Sequence, residues 1–258
     1  MKTGEAYAEF SGRRIWFRDG GAGVPVVFLH SRTGSSLVWE HQVAAFGAAG
    51  YRFIAYDRLG HGRSVLKTGA EPGTAADDLE GLMRYLGIGE FHLVGTAAGG
   101  IVAFDYALSF ASRLRSLVIA NSIGGVQDED YLALHQRLRP PQFAALPPEL
   151  RELGPAYRAA NAQGEARWIE LEQAGHSRHA CEQTMRNRIS FASLETITAP
   201  TLLMTGDADL YTPPPVLKLF AARIKRSQFL VIDECGHSAY WEQPEAFNRA
   251  VLGFIHQH

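Results

Sequence analysis

The sequence predicts an α/β fold: a mostly parallel sheet with helices on both faces and a helical cap inserted ahead of the last strands. Two observations carry this reading. Short, almost wholly apolar runs alternate with stretches of helical spacing, as expected of strands covered on both faces by crossover helices. The alternation stops after Ser122 and returns at Thr201, and the segment between is rich in Arg, Glu, Gln, Ala and paired prolines with no strong strand. Residues 1–122 and 200–258 are therefore expected to form the core and 123–199 the cap.

The elements follow in order. Residues 6–10 and 13–18 read as two strands joined by a turn at Ser11-Gly12. Residues 24–30 are a mostly apolar strand. Residues 35–49 have helical spacing, with Leu37, Val38, Val43 and Phe46 on one side, and 52–57 is the next strand. The helix over 74–86 has Thr74 to cap it and Asp77 and Asp78 in its positive first turn. Strand 91–96, helix 99–110 and strand 117–121 complete the first half. After the cap come strand 201–206, helix 216–224, strand 229–233 and a closing helix over 244–256.

At 258 residues the chain is long enough to bury a sizeable core. Its 46% hydrophobic and 20% charged content is that of an ordinary globular protein. A net charge of −2 gives no electrostatic case for nucleic acid or an anionic membrane. No run approaches the length of a transmembrane helix, and no apolar run follows Met1-Lys2-Thr3-Gly4-Glu5, so no signal peptide is expected. Two cysteines, Cys181 and Cys235, suit a reduced compartment better than a disulfide framework, and the cytoplasm is the expected location. The expected partners are a small-molecule substrate and, for assembly, a second copy of the chain in a homodimer.

Ligands bind outside the carboxyl ends of strands in an open α/β sheet, so those ends carry the search for chemistry. The first is His30-Ser31-Arg32-Thr33-Gly34. The second is Gly95-Thr96-Ala97-Ala98-Gly99, which has the form of a nucleophile elbow, G-x-S-x-G, with alanine where the nucleophile belongs. Two further ends carry Gly206-Asp207-Ala208-Asp209 and Glu234-Cys235-Gly236-His237-Ser238. Nucleophile position, acid and histidine thus occur in the chain order of a Ser–Asp–His triad on this architecture. His237, following a strand and a glycine, is the expected base, and Asp207 and Asp209 compete to orient it. Asp57 and the Gly60-x-Gly62 turn read as structural. His30 and Ser31 are candidates to touch substrate, although a packed, hydrogen-bonded His30 is equally consistent with the sequence. His176 and His179, three apart, lack a third partner, so no metal site is expected, nor any cofactor.

With these pieces in place the chain resembles the α/β-hydrolase fold superfamily over nearly all its length outside the cap. The matching pieces are His30-Ser31, the run Asp57-Arg58-Leu59-Gly60-His61-Gly62-Arg63-Ser64, the elbow, Gly206-Asp207-Ala208-Asp209, and Gly236-His237 followed by Glu242-x-Pro244. Within it, the chain is most similar to small bacterial enol-lactone, aminoacrylate and C–C bond hydrolases. The resemblance implies Asp209 as the acid, with Asp207 supporting the turn, and an oxyanion hole made by the backbone N–H groups of Ala98 and Arg32. It implies hydrolysis of a small carboxylic ester, a lactone or an activated C–C or C–N bond.

Ala97 has two readings. If it replaces a serine, the parent is a serine hydrolase forming an acyl-enzyme, with His237 as base and Asp209 as its orienter. If alanine is natural, the chemistry is non-covalent: a His237–Asp209 dyad activates water or takes a substrate proton while the oxyanion hole stabilises the charge. Lyase, retro-Claisen and cofactor-free oxygenase reactions use the same apparatus. Thr96 and Ser31 are poorly placed as surrogate nucleophiles, because only the elbow residue points its side chain into the site. A non-catalytic binding protein of the same fold is a further class, disfavoured by the intact His237 and Asp209. In the cap, Tyr157 and Trp168 are candidate substrate contacts. Arg158, Arg167, Arg178, Arg186 and Arg188 are either candidate partners for a substrate carboxylate or solvated surface residues.

Overall fold

The computed structural model describes residues 3–177 and 181–258. Among these, the strands are β1 (Gly4–Phe10), β2 (Arg13–Gly20), β3 (Pro25–Leu29), β4 (Arg52–Tyr56), β5 (Val65–Leu66), β6 (Phe91–Thr96), β7 (Leu114–Ala120), β8 (Thr201–Gly206) and β9 (Ser227–Ile232). They form one nine-stranded sheet in the order β1-β2-β4-β3-β6-β7-β8-β9, with β5 paired to β2. β1 and β2 are a hairpin whose turn places Ser11 and Gly12 at positive φ, and β2 runs antiparallel to β4. From β4 to β9 every pairing is parallel. The fold class expected from the alternation is the one observed.

The strand period of two divides the core between the sheet faces. Leu93, Leu117 and Leu203 belong to one apolar cluster, and their neighbours Val94, Val118 and Met204 to the other. All six side chains are buried, each worth roughly 1.5–3 kcal/mol relative to exposure. Helices Ala75–Tyr85 and Ala98–Ser109 contribute to the first cluster, and Glu40–Ala48 and Pro244–Ile255 to the second. Thr74 caps its helix as expected, its side chain accepting from Asp77 N.

Element boundaries differ from the sequence reading for identifiable reasons. β7 begins at Leu114, ahead of the expected 117, because Ser116 is buried in mid-strand, its hydroxyl 2.8 Å from His92 Nδ1 on β6. β9 begins at the polar pair Ser227-Gln228 rather than at 229. The helix expected from 35 opens as a 3₁₀ turn, Ser36–Trp39, capped by Ser35. Asp57 is structural: its carboxylate accepts from Ser36 N at 2.8 Å and Arg63 N at 2.9 Å, joining two loops beside the strand ends.

Residues 123–199 contain helices, and among the described residues they add no strand to the sheet. The segment is tied to the core at several points. Gly62 N donates to Gly175 O, and the Asp105 carboxylate accepts from the backbone of Arg186 and Asn187. His237 N donates to Glu152 O. No helix among the described residues is long and apolar enough to cross a membrane.

Candidate active site

β6 ends at Thr96 and the next helix starts at Ala98, so Ala97 alone makes the turn. It does so at φ 49°, ψ −117°, a conformation that residues with a Cβ seldom adopt. The strain is held by Ala97 N donating to Ala120 O at 3.0 Å and by the Ser122 hydroxyl donating to Ala97 O at 2.6 Å. The two elbow glycines are required by contact. A Cβ on Gly95 would meet the carbonyl of Gly99, and one on Gly99 would meet the carbonyls of Leu29 and His30. Gly99→Ala is therefore expected to push the helix off β3 and cost about 1–3 kcal/mol. The shift of the urea midpoint at unchanged m-value measures it, and an unshifted midpoint refutes the close-packing account.

Asp209 and His237 are brought together from the loops after β8 and β9. His237 Nδ1 lies 2.9 Å from each Asp209 carboxylate oxygen. Oδ1 also accepts from Tyr211 N at 2.7 Å and Thr212 N at 3.0 Å, and Oδ2 from Asn121 Nδ2 at 3.1 Å. Burial works against the charge on Asp209, but His237 and these donors outweigh it and hold the carboxyl below its usual range. Asp207 is exposed and turned elsewhere, accepting from Cys235 N at 3.1 Å, which braces the turn before His237.

Two carboxylates that the sequence reading did not single out as functional organise the histidine loop. Glu242 accepts from Gly236 N at 2.9 Å, Ser238 N at 3.0 Å and, from the segment 123–199, Gly154 N at 2.7 Å. Glu152, also from the segment 123–199, places Oε2 3.9 Å from His237 Nε2, while its Oε1 accepts the Tyr211 hydroxyl at 3.0 Å. The Tyr211 ring lies against the imidazole, centroids 4.2 Å apart. Only the fold of the cap brings Glu152 here. The sequence signal for Glu242 was its place in the Glu242-x-Pro244 piece.

Around the elbow, Ala97 and Ala98 are half-buried and Arg32 is exposed. Ala98 N is the first N–H of its helix and so has no intrahelical acceptor. His30 has both ring nitrogens engaged by backbone: Nδ1 donates to Ser31 O at 2.7 Å and Nε2 accepts from Arg58 N at 2.9 Å. Burial, then the nearby Arg58 and His61, hold His30 neutral, well below its ordinary pKa, so it braces the loop that carries Arg32. Ser31 is buried with its hydroxyl 3.1 Å from that of Thr33.

The cap candidates are dispersed. Trp168 is buried in the second core cluster with Leu153 and Trp241, and Tyr157 is half-buried against that cluster, its hydroxyl accepting from Asn161 Nδ2. Arg167 pairs at the surface with Glu40 and Glu170, and Arg186 with Asp77, so neither guanidinium is free for a substrate carboxylate. Arg158 donates to Leu153 O, and Arg188 is exposed. His176 meets Glu172 at 3.1 Å, and no metal-binding cluster occurs among the described residues. Arg178 and His179 lie outside the described residues.

A parallel sheet of this order, with a glycine-lined elbow after one strand and a His–carboxylate pair after two others, defines an α/β-hydrolase type of enzyme. Residues 26–250 match the model of the alpha/beta hydrolase family, and the chain belongs to that family. It is 31% identical to a 2-hydroxy-6-oxononadienedioate/2-hydroxy-6-oxononatrienedioate hydrolase of Burkholderia vietnamiensis, over 94% of this chain and 91% of that protein. Among solved structures it is similar to a thermophilic esterase from Thermogutta terrifontis, with a TM-score of 0.78 at 24% identity, covering 100% of this chain and 99% of that one. It is also similar to the enol-lactonase from Burkholderia xenovorans, with a TM-score of 0.76 at 20% identity, covering 97% and 99%.

Proposed function

We propose that this protein is a cofactor-free hydrolase of a small ester, lactone or activated C–C or C–N bond, and that with Ala97 it works without a covalent intermediate. The observation that carries the reading is the intact His237–Asp209 pair, hydrogen-bonded at 2.9 Å, in a chain whose elbow residue, Ala97, carries only a methyl group. His237 and Asp209 manage the proton, water is the nucleophile, and the N–H groups of Ala98 and Arg32 receive the oxyanion. The relatives named as hydrolases support the reaction class. Free thiols at Cys181 and Cys235 suit a reducing compartment, and the cytoplasm is the proposed location.

The test is a pair of assays on p-nitrophenyl esters and small lactones, one with the protein as it stands and one with Ala97→Ser, each followed by intact-mass spectrometry. The expected result is turnover by the Ala97 protein with no adduct, and a change of less than about tenfold on restoring serine, equivalent to roughly 1.4 kcal/mol of barrier. An inert Ala97 protein that gains both turnover and an acyl adduct from Ala97→Ser overturns the non-covalent reading.

A further inference from the structure

Glu152 ends the short cap helix Pro148–Glu152 and is 6% exposed. A carboxylate so placed is costly unless other groups compensate it. Its surroundings supply that compensation. The Tyr211 hydroxyl donates to Oε1, and the residue's own carbonyl accepts from His237 N at 3.0 Å, which fixes the cap backbone against the histidine. Oε2 faces His237 Nε2 at 3.9 Å. The imidazole thus stands between two carboxylates, Asp209 on the Nδ1 side and Glu152 on the Nε2 side. In a serine hydrolase Nε2 faces a hydroxyl. Here Ala97 at the elbow has no hydroxyl, and Nε2 faces the Glu152 carboxylate. A gap of 3.9 Å is too long for a direct hydrogen bond and short enough for one water to bond both atoms.

We propose that Glu152 is a catalytic residue that holds the hydrolytic water together with His237 and takes its proton, in place of the absent hydroxyl. The proposal rests on the non-covalent reading above. In the proposed cycle Glu152 starts as a carboxylate and His237 as an imidazolium. A water O–H proton passes to Glu152, the new C–O bond forms at the substrate carbonyl carbon, and the carbonyl π pair moves onto the oxyanion at the Ala98 and Arg32 N–H groups. When the carbonyl re-forms, the bond to the leaving group breaks with its electron pair, and the leaving atom takes a proton from His237. Transfer of the proton from Glu152 to His237 restores the site. One water is consumed, and acid and leaving group are released.

The electrostatics favour the imidazolium, whereas burial opposes the charge on Glu152. Burial pushes the His237 imidazolium down, but Asp209 and Glu152 more than offset it and hold the proton above the ordinary histidine range. Burial raises the Glu152 carboxyl, with the His237 charge and the Tyr211 hydroxyl pulling against it. The other ionisable groups acting on the pair are Glu242 on His237, His135 beside the Tyr211 carbonyl, and Arg151 on Glu152.

The experiment compares the full-length protein with Glu152→Gln, Glu152→Asp and His237→Ala in p-nitrophenyl ester hydrolysis from pH 5 to 9, and follows the ¹⁵N-histidine ring resonances of the unliganded proteins over the same range. Glu152→Gln is expected to lower kcat by about 10²-fold or more with KM within about threefold, and Glu152→Asp to recover part of it. Its His237 ring is expected to lose its proton about one pH unit or more lower than in the parent, because one of two neighbouring negative charges is gone. Parent kcat and pH profile in Glu152→Gln, with His237→Ala inactive, overturn the role of Glu152 and leave the dyad standing. Parent turnover in His237→Ala overturns the dyad reading itself. If none of the esters is turned over, the titration decides: an unchanged His237 curve in Glu152→Gln overturns the proposal, and a lowered midpoint supports it.

Discussion

Replacing His237 with alanine is expected to lower turnover about 10²–10⁴-fold while leaving the fold intact. The imidazole is the group that both faces the water side of the site and is hydrogen-bonded to a buried, fixed carboxylate. Its loss leaves Asp209 shielded by its other donors and unable to reach past them. Removing a ring that packs against Tyr211 also costs packing, so the variant is expected to lose some stability. Turnover must therefore be measured well below the variant's melting temperature. A decrease of less than about tenfold in a folded variant would show that His237 is dispensable for turnover.

Asp209→Asn is expected to be nearly as severe, about 10³–10⁴-fold, by a different route. The wild-type carboxylate only accepts, and His237 Nδ1, Tyr211 N, Thr212 N and Asn121 Nδ2 all point at it. An amide brings an N–H₂ into this ring of donors. Whichever way it turns, at least one donor loses its acceptor, at about 1–3 kcal/mol for a buried group. The ring also loses the charge that most favours its proton, so His237 is expected to give that proton up at lower pH than in the parent. Ring-nitrogen shifts followed against pH report the change directly, and the rate reports its consequence. An Asp209→Asn protein with parent turnover and an unchanged His237 titration would show that the charge of Asp209 is dispensable.

The parts of this site that were legible in the sequence are those bound to strand ends. Gly95, Ala97 and Gly99 could be read because the turn admits so few residue types, and the structure shows the carbonyls that exclude a Cβ. Asp209 and His237 could be paired because each follows a strand by a short loop in a sheet of parallel order. Glu152 was not legible: Pro148-Glu149-Leu150-Arg151-Glu152 has no motif, and nothing local says which of its two glutamates turns inward. Asn121 donates to Asp209 from a positive-φ position that the sequence does not advertise. Trp168 is a candidate by its size and its place in the insert; it is buried in the second apolar cluster.

The Glu242 carboxylate has a consequence for building chimaeras. One side chain accepts from Gly236 and Ser238, which flank His237, and from Gly154, two residues after Glu152. The cap backbone and the histidine loop are thus registered against the same two oxygen atoms. A cap grafted from a relative would have to deliver an N–H to Oε2 at this point, or leave the buried anion with one donor fewer and the histidine loop less well fixed. In amide hydrogen exchange, Gly154, Gly236 and Ser238 should become protected and exposed together, as one cooperative unit spanning both halves of the enzyme.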